Sequence, residues 1–218
     1  LVDSQGSGRT DAGVHALAQV AHIDVTRAPA PEQLRRLIND GLPADIHVIS
    51  VTAVGRTFHA RHSAERRSYL YQISRRRSAF AKPYVWWVKE TLDPARMRAA
   101  AAMFAGLHDF SAFTDDDPGE KSTKVQLDEV TLVDDGALIL VRVAGSHFLW
   151  KMVRRMVGVL AAVGTGDLDT GDIEHLLAGE GGDVVARLTA PAAGLFLEHV
   201  LYPGDVWPRP LVAAVPVR

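Results

Sequence analysis

Gly8-Arg9-Thr10-Asp11-Ala12-Gly13-Val14-His15-Ala16 sets one carboxylate between two glycines, two residues after a guanidinium, in a turn that runs straight into an alternating apolar stretch. Glycines let a substrate or another backbone come close, and Arg9 supplies a neighbouring cation. An Asp held this way can be exposed to a ligand and paired with a positive charge at once, the setting for a nucleophile or a base. Asp in a Gly-rich turn also serves simply to cap backbone amides. A phosphate cradle fits less well: Gly6-Ser7-Gly8 has Asp11 where the third glycine of the dinucleotide fingerprint should stand, and no Gly-Lys-Ser/Thr occurs. Asp11-Ala12-Gly13 and Asp169-Thr170-Gly171 superficially supply the paired carboxylates of an aspartic protease. Gly171-Asp172-Ile173-Glu174, however, reads as a helix start with its own cap. Of the nine histidines, His59 and His62 are the only close pair. No acidic third ligand accompanies them, so no metal site is expected. His15 and His22 are expected to pack beside the strand that follows the turn.

The elements that must position these groups alternate between strand and helix. Leu17 to Val25 puts Leu17, Ala21, Ile23 and Val25 on one face of an expected strand. Pro31 opens a helix with Leu34, Leu37 and Ile38 on one stripe, and Gly41-Leu42-Pro43 stops it. Ile46 to Val54 is expected as a second strand. Ser68 to Ser74 is a third, with Tyr69, Tyr71 and Ile73 on one side and Ser68, Leu70 and Gln72 on the other. Asp93-Pro94 reads as an N-cap followed by proline at the first helical position, with Met97, Ala100, Ala101 and Phe104 lining one face before Gly106. Val125 to Val133 and Ala137 to Val143 flank Asp134-Asp135-Gly136 as a hairpin. Phe148 to Val163 reads as an amphipathic helix, with Lys151, Arg154, Arg155 and Gly158 opposite its apolar stripe. A short helix from Gly171 to Ala178, a strand from Leu195 to Leu201 and an extended Pro203 to Pro216 tail follow. This order predicts an α+β protein with antiparallel sheet and helices on one face.

With 218 residues, 47% hydrophobic and 23% charged, the chain can bury a substantial core. No apolar run approaches the roughly 18 residues of a membrane span and no charged-then-apolar leader opens it, so a cytoplasmic protein is expected. The absence of Cys removes disulfides, thiolate nucleophiles and Cys-ligated zinc together. The net charge of -2 hides an uneven distribution. Arg56, Arg61, Arg66, Arg67, Arg75, Arg76 and Arg77 are opposed within their stretch only by Glu65, and Lys151, Arg154 and Arg155 form a second cluster. Acidic residues gather at Asp115-Asp116-Asp117 and Asp134-Asp135. Either these are solvated faces, or the basic ones follow a nucleic-acid backbone.

The Gly8 to Ala16 run resembles, residue for residue, the active-site signature of the TruA-type tRNA pseudouridine synthases. Three further stretches agree in family order. Arg66-Arg67-Ser68-Tyr69-Leu70-Tyr71 is similar to the family's basic-x-Tyr-x-Tyr strand. Phe148 to Gly158 resembles its Phe-Leu-x-x-Met-Val-Arg-x-x-Val-Gly helix, and Ala190-Pro191-Ala192-Ala193-Gly194-Leu195 its C-terminal signature. The resemblance runs from Gly8 to about Pro203. It implies two ferredoxin-like halves meeting at a central basic cleft, the first half incomplete. The expected division is residues 1–60, carrying the catalytic turn; 61–204, the second half; and 205–218, an extended tail. Relatives carry a strand and a helix before the signature, including a Tyr-Asp-Gly…Gly-Trp-Gln segment that this chain lacks, so an N-terminal segment is expected to be missing ahead of Leu1.

The resemblance also implies the chemistry: isomerisation of uridine to pseudouridine at positions 38 to 40 of the tRNA anticodon stem-loop, by a cytoplasmic homodimer, with no cofactor and no metal. Asp11 is then the essential catalytic residue, acting by attack or by removing a ribose proton. Arg9 helps extrude the target nucleotide, Tyr69 stacks on the flipped base, and Arg154 pairs with Asp11, where an opposite charge favours the ionised carboxylate. Phe148 and Leu195 are carried over as substrate-binding residues, the latter in the loop and strand that wall the base pocket. Arg61, Arg66, Arg67, Lys151 and Arg155 are the expected RNA contacts. Ser68 stands where many relatives place a basic residue, and Lys124-Val125-Gln126 where they often place an Arg. An RNA-binding relative without activity is the non-enzyme alternative.

Overall fold

The computed structural model describes residues 3–27, 29–117, 119–120, 122–207 and 210–217. The chain forms two compact units, one from Leu1–Gly8 and Val20–Ala64, the other from Arg9–Gln19 and Glu65–Arg218. The turn bearing Asp11 is thus part of the larger unit, whereas the sequence groups it with residues 1–60.

In the smaller unit, strand β1 (Asp3–Gly6) and a later strand, Ala21–Asp24, pair antiparallel. Helix α1 (Pro31–Gly41) opens on its proline as expected and buries none of its residues. The strand expected over 46–54 does not form. Asn39, in the last turn of α1, donates from Nδ2 to the Val48 carbonyl and accepts the Val48 N–H at Oδ1, at 3.0 and 2.7 Å. Those are the groups a neighbouring strand would have used, and the segment joins no ladder.

The single strand expected from Leu17 to Val25 is two. Strand β2 (His15–Ala16) pairs parallel with a C-terminal strand of the larger unit, and the chain then bends at Leu17 and Ala18 before β3 (Ala21–Asp24) pairs in the smaller one. The alternation continues through the bend, so apolar period alone could not reveal that the two pieces have different partners.

The larger unit is built on a mainly antiparallel sheet. Its strands are β2, β4 (Arg66–Ser74), β5 (Trp86–Trp87), β6 (Gly106–Asp109), β7 (Lys124–Asp135), β8 (Leu138–Gly145) and β9 (Leu195–Leu201). The order is β2-β9-β4-β8-β7-β6, with β5 running parallel to the end of β4. β7 and β8 form the expected hairpin, its two-residue turn opened by Gly136 at φ 62, which a side chain would disfavour. Opposite residues across β4 and β8 share a face: Tyr69 with Val143, Tyr71 with Val141 and Ile73 with Ile139. That face meets the helices. The other carries Leu70, Leu140 and Phe196, covered by Ala81, Val85 and part of the C-terminal tail. Gln72, fully buried, straps the tail down by accepting the Ala214 and Val215 N–H groups at Oε1, the first at 2.7 Å.

Helix α2 (Pro94–Met103) is capped as expected, Asp93 accepting from Ala95 and Arg96. Helix α3 (Met152–Thr165) starts later than the sequence predicts, because Lys151 sits at φ 61 in the left-handed region and closes a separate turn first. It is also not amphipathic: twelve of its residues are buried, Arg155 and Gly158 among them. A helix enclosed nearly all round is a core element, not a surface one. Helix α4 (Thr170–Leu177) begins with a reciprocal capping box in which Asp169 accepts from Gly171 and Asp172 while the Asp172 carboxylate accepts the Asp169 N–H. Asp169 is therefore occupied as a cap, and the aspartic-protease pairing falls away. Helix α5 (Gly182–Arg187) completes the layer. Among the described residues no helix is long and apolar enough to cross a membrane.

Gly158 is where α3 meets the chain leading to the C-terminal signature: a Cβ there would lie 1.7 Å from the Leu188 carbonyl oxygen. Gly158→Ala is expected to destabilise the protein by roughly 3 kcal/mol, read as a lowered urea midpoint. An unchanged midpoint would show that this crossing can relax.

Candidate active site

Asp11 is held by a type II turn. The Val14 N–H donates to the Asp11 carbonyl at 3.0 Å, and Gly13, at the third position, has φ 79. That backbone suits glycine, and a Cβ there would press on the Ala192 methyl at 3.4 Å. After the turn Val14 joins the main core, His15 stacks on Phe196 with ring centroids 4.9 Å apart, and Leu17 N–H donates to the Leu197 carbonyl. The turn is therefore fixed on its C-terminal side by parallel pairing to β9.

The loop Ala190–Gly194 is held from beneath by two side chains. Arg154, on α3, donates from Nε to the Ala190 carbonyl at 2.7 Å, and the Ala190 N–H returns a bond to the Arg154 carbonyl at 3.1 Å. The hydroxyl of Tyr71, a fully buried residue on β4, donates to the Pro191 carbonyl at 2.7 Å. Gly194 lies so close over the Tyr71 ring that a Cβ would come within 2.6 Å of it.

From this anchorage the Arg154 guanidinium reaches Asp11, with its NH1 3.9 Å from Oδ2. This is an ion contact, too long for a hydrogen bond. The Asp11 carboxylate stays 41% exposed while the Arg154 side chain is 18% exposed. Arg154 thus spends its strongest bond on backbone and offers Asp11 charge without covering it. Tyr69 is half-buried and meets Phe148 edge to face at 4.9 Å. Burial pushes its phenol up from 10.0, the Asp11 charge pushes the same way, and Arg67 opposes. Leu195 is buried at the start of β9, opposite Tyr71. The register between β4 and β9 shifts between Ser68 and Tyr69, the kind of irregularity that re-aims a side chain beside a site.

The structure thus brings Asp11, Tyr69, Arg154, Phe148 and Leu195 together in one unit, with Arg9 exposed beside the turn. The basic residues fare unevenly. Arg61 is exposed in the smaller unit. Arg66 pairs with Asp128 at 2.7 Å, and Arg67 donates to the Ser146 carbonyl. Arg155 is turned inward, its side chain 5% exposed and paired with Asp115. Its charge is neutralised inside the protein and is not presented to an RNA. Lys151 pairs with the same Asp115 at 2.7 Å and lies over the Trp150 ring. The acidic run read as a separate surface therefore folds against the second basic cluster, and the two signs are not segregated. Asp116 adds to the clamp by accepting the Trp150 N–H at 3.0 Å.

Ser68 lies on the other face from Tyr69, fully buried, donating to Glu198, which Arg142 grips through both oxygens at 2.8 and 2.5 Å. In the smaller unit the rings of His22, His59 and His62 meet at a tilt with centroids 4.6 and 4.3 Å apart, and burial, then the neighbouring rings, pull His59 down. Among the described residues no cluster of His, Cys, Asp or Glu could hold a metal ion. Sequence reasoning missed the clamping role of Asp115 and Asp116, since nothing in an acidic run says which cation it will meet.

The profile of a tRNA pseudouridine synthase family matches residues 1–63 and 100–203. A tRNA pseudouridine synthase A of Methylobacterium nodulans is 44% identical over 200 residues, covering 90% of this chain and 78% of that protein. One of Nitrobacter hamburgensis is 42% identical over 200 residues, covering 90% and 81%. One of Bacillus licheniformis is 38% identical over 198 residues, covering 90% and 80%.

Burial raises the Tyr71 phenol as it does that of Tyr69. The unfolded chain therefore ionises these phenols first, near the ordinary 10.0. Their contribution to stability is complete below that pH and is lost as the pH rises past it. Tyr71→Phe is expected to cost roughly 1–2 kcal/mol at pH 7, through the orphaned Pro191 carbonyl, and to flatten the alkaline decline. Urea midpoints at neutral and alkaline pH check both, and a decline as steep as wild type would remove Tyr71 from it.

Proposed function

The chain belongs to the tRNA pseudouridine synthase family, and from that premise we propose that Asp11 is the residue on which its isomerisation of uridine depends, acting on the tRNA anticodon stem-loop. The observation that carries this reading is the Arg154 guanidinium standing 3.9 Å from a carboxylate that remains 41% exposed. The arrangement keeps a negative charge in place without blocking it. Pseudouridine formation breaks the bond from C1′ to N1 of the base and makes one from C1′ to C5, with loss of the C5 proton and protonation of the freed N1. Asp11 serves either by attacking the base or ribose or by removing a ribose proton while the base turns.

A uridine in a stem-loop must leave its stack to reach a carboxylate, at a cost of a few kcal/mol. Arg9, beside the turn, supports the role of holding the strand as the nucleotide leaves. Tyr69, braced by Phe148, offers a planar surface close to Asp11. Leu195 supports a wall of the base pocket. Arg61, Arg66, Arg67 and Lys151 are the proposed backbone contacts. Exposed carboxylate pairs such as Arg66 with Asp128 are worth little in water and can be exchanged for phosphate. Homodimeric assembly and two ferredoxin-like halves around a basic cleft are supported by the family resemblance.

Asp11→Asn is expected to abolish tritium release from uracil-5-labelled tRNA while tRNA affinity stays within a few-fold. Retained turnover would remove Asp11 from the chemistry. Arg154→Ala is expected to lower kcat at least tenfold, losing both the charge beside Asp11 and the brace on Ala190. A wild-type kcat in that variant would show that the ion contact is dispensable.

A further inference from the structure

Residues 75–87 leave the end of β4 and supply none of the groups around Asp11. The segment is nevertheless firmly anchored. Ala81 and Val85 are buried against Leu70, Leu138 and Phe196, and the Tyr84 N–H closes a turn onto the Ala81 carbonyl at 2.8 Å. His15 Nε2 donates to the Pro83 carbonyl at 2.7 Å.

On this frame Phe80 stands 96% exposed, preceded in the chain by exposed Arg76 and Arg77 and followed by exposed Lys82. The Arg77 guanidinium lies over Trp87, 5.4 Å from the ring centroid, and Trp87 is itself 40% exposed. Trp87 pairs with Ser74, five residues along β4 from Tyr69 and so about 17 Å away at the strand rise. Planar faces set among cations suit unpaired bases flanked by phosphates. An apolar protein-docking patch would be expected to shed lysine instead.

We propose that Arg76, Arg77, Phe80 and Trp87 form a second RNA-contact surface, which stacks an unpaired base of the tRNA and neutralises adjacent phosphates away from the nucleotide being isomerised. This rests on the reading of the protein as a tRNA-acting enzyme and extends it.

The test is direct binding of an unmodified tRNA transcript alongside steady-state tritium release. Phe80→Ala and Phe80→Leu are each expected to raise Kd and KM about fivefold or more with kcat unchanged, and Phe80→Trp to restore both. R76A/R77A is expected to reduce the slope of log Kd against log salt by about 1.5. Phe80 is solvent-exposed, so a wild-type Tm should accompany each change. An unmoved Kd for Phe80→Ala, or an unmoved salt slope for the double variant, overturns the proposal. So does wild-type affinity in Phe80→Leu, which would indicate an apolar protein partner. Absence of tritium release from the wild-type enzyme would count against the proposed activity alone, because the Kd comparisons are read independently of turnover.

Discussion

Arg154 bonds through Nε to the Ala190 carbonyl, receives the Ala190 N–H on its own carbonyl, and turns the remaining face of its guanidinium to Asp11. Those contacts tie together α3, the loop before β9 and the turn before β2, which are distant in sequence. A guanidinium has five donors in a fixed plane, so anchoring one edge on backbone determines where the other edge points. Remove the anchor and the charge is free to swing away from the carboxylate. Tyr71 supports the same loop from the sheet, and the bare backbone of Gly194 lets it lie directly on that ring.

The position of α3 is in turn held at its start and at its middle. Its N-terminal turn is clamped by Asp115 to Lys151 and Arg155 and by Asp116 to the Trp150 amide. Farther along, Gly158 lets the Leu188 backbone cross where any side chain would collide. A helix buried on nearly every side can turn or slide little without opening voids, so the direction of Arg154 is a consequence of core packing as much as of its own bonds. The buried Arg142–Glu198 pair, joined by Ser68, shows the same economy on the opposite face of the sheet. There a charge satisfied by a bidentate partner holds β4, β8 and β9 together where an unpaired one would be costly.

Much of this was legible in the chain. Caps and turn residues act over three or four positions, so Asp93, Pro31 and Gly136 reported their elements directly. Strand β9 runs over Leu195–Leu201 as its apolar pattern predicted. The signatures around Asp11, Tyr69 and Arg154 were legible too, because each is a short local run. Residues 46–54 and 17–25 were misread for one shared reason. An apolar alternation shows that a segment can be a strand, but the partner of its backbone groups lies elsewhere: the Asn39 side chain in one case, two different strands in the other.

The sequence by itself determined the residue types at the site, the α+β class and the family. The tertiary structure decided how the charges are spent. Lys151, Arg154 and Arg155 are near neighbours on paper, yet one lies over Trp150, one faces Asp11 and one is buried against Asp115. Lys151 stands before the helix in a left-handed turn, the helical repeat turns Arg155 by about 100° from Arg154, and what each direction meets is set by long-range packing. Local pattern carries no record of that. For the same reason an acidic run that reads as a surface became the clamp on α3, and a helix that reads as half-solvated became the centre of the core.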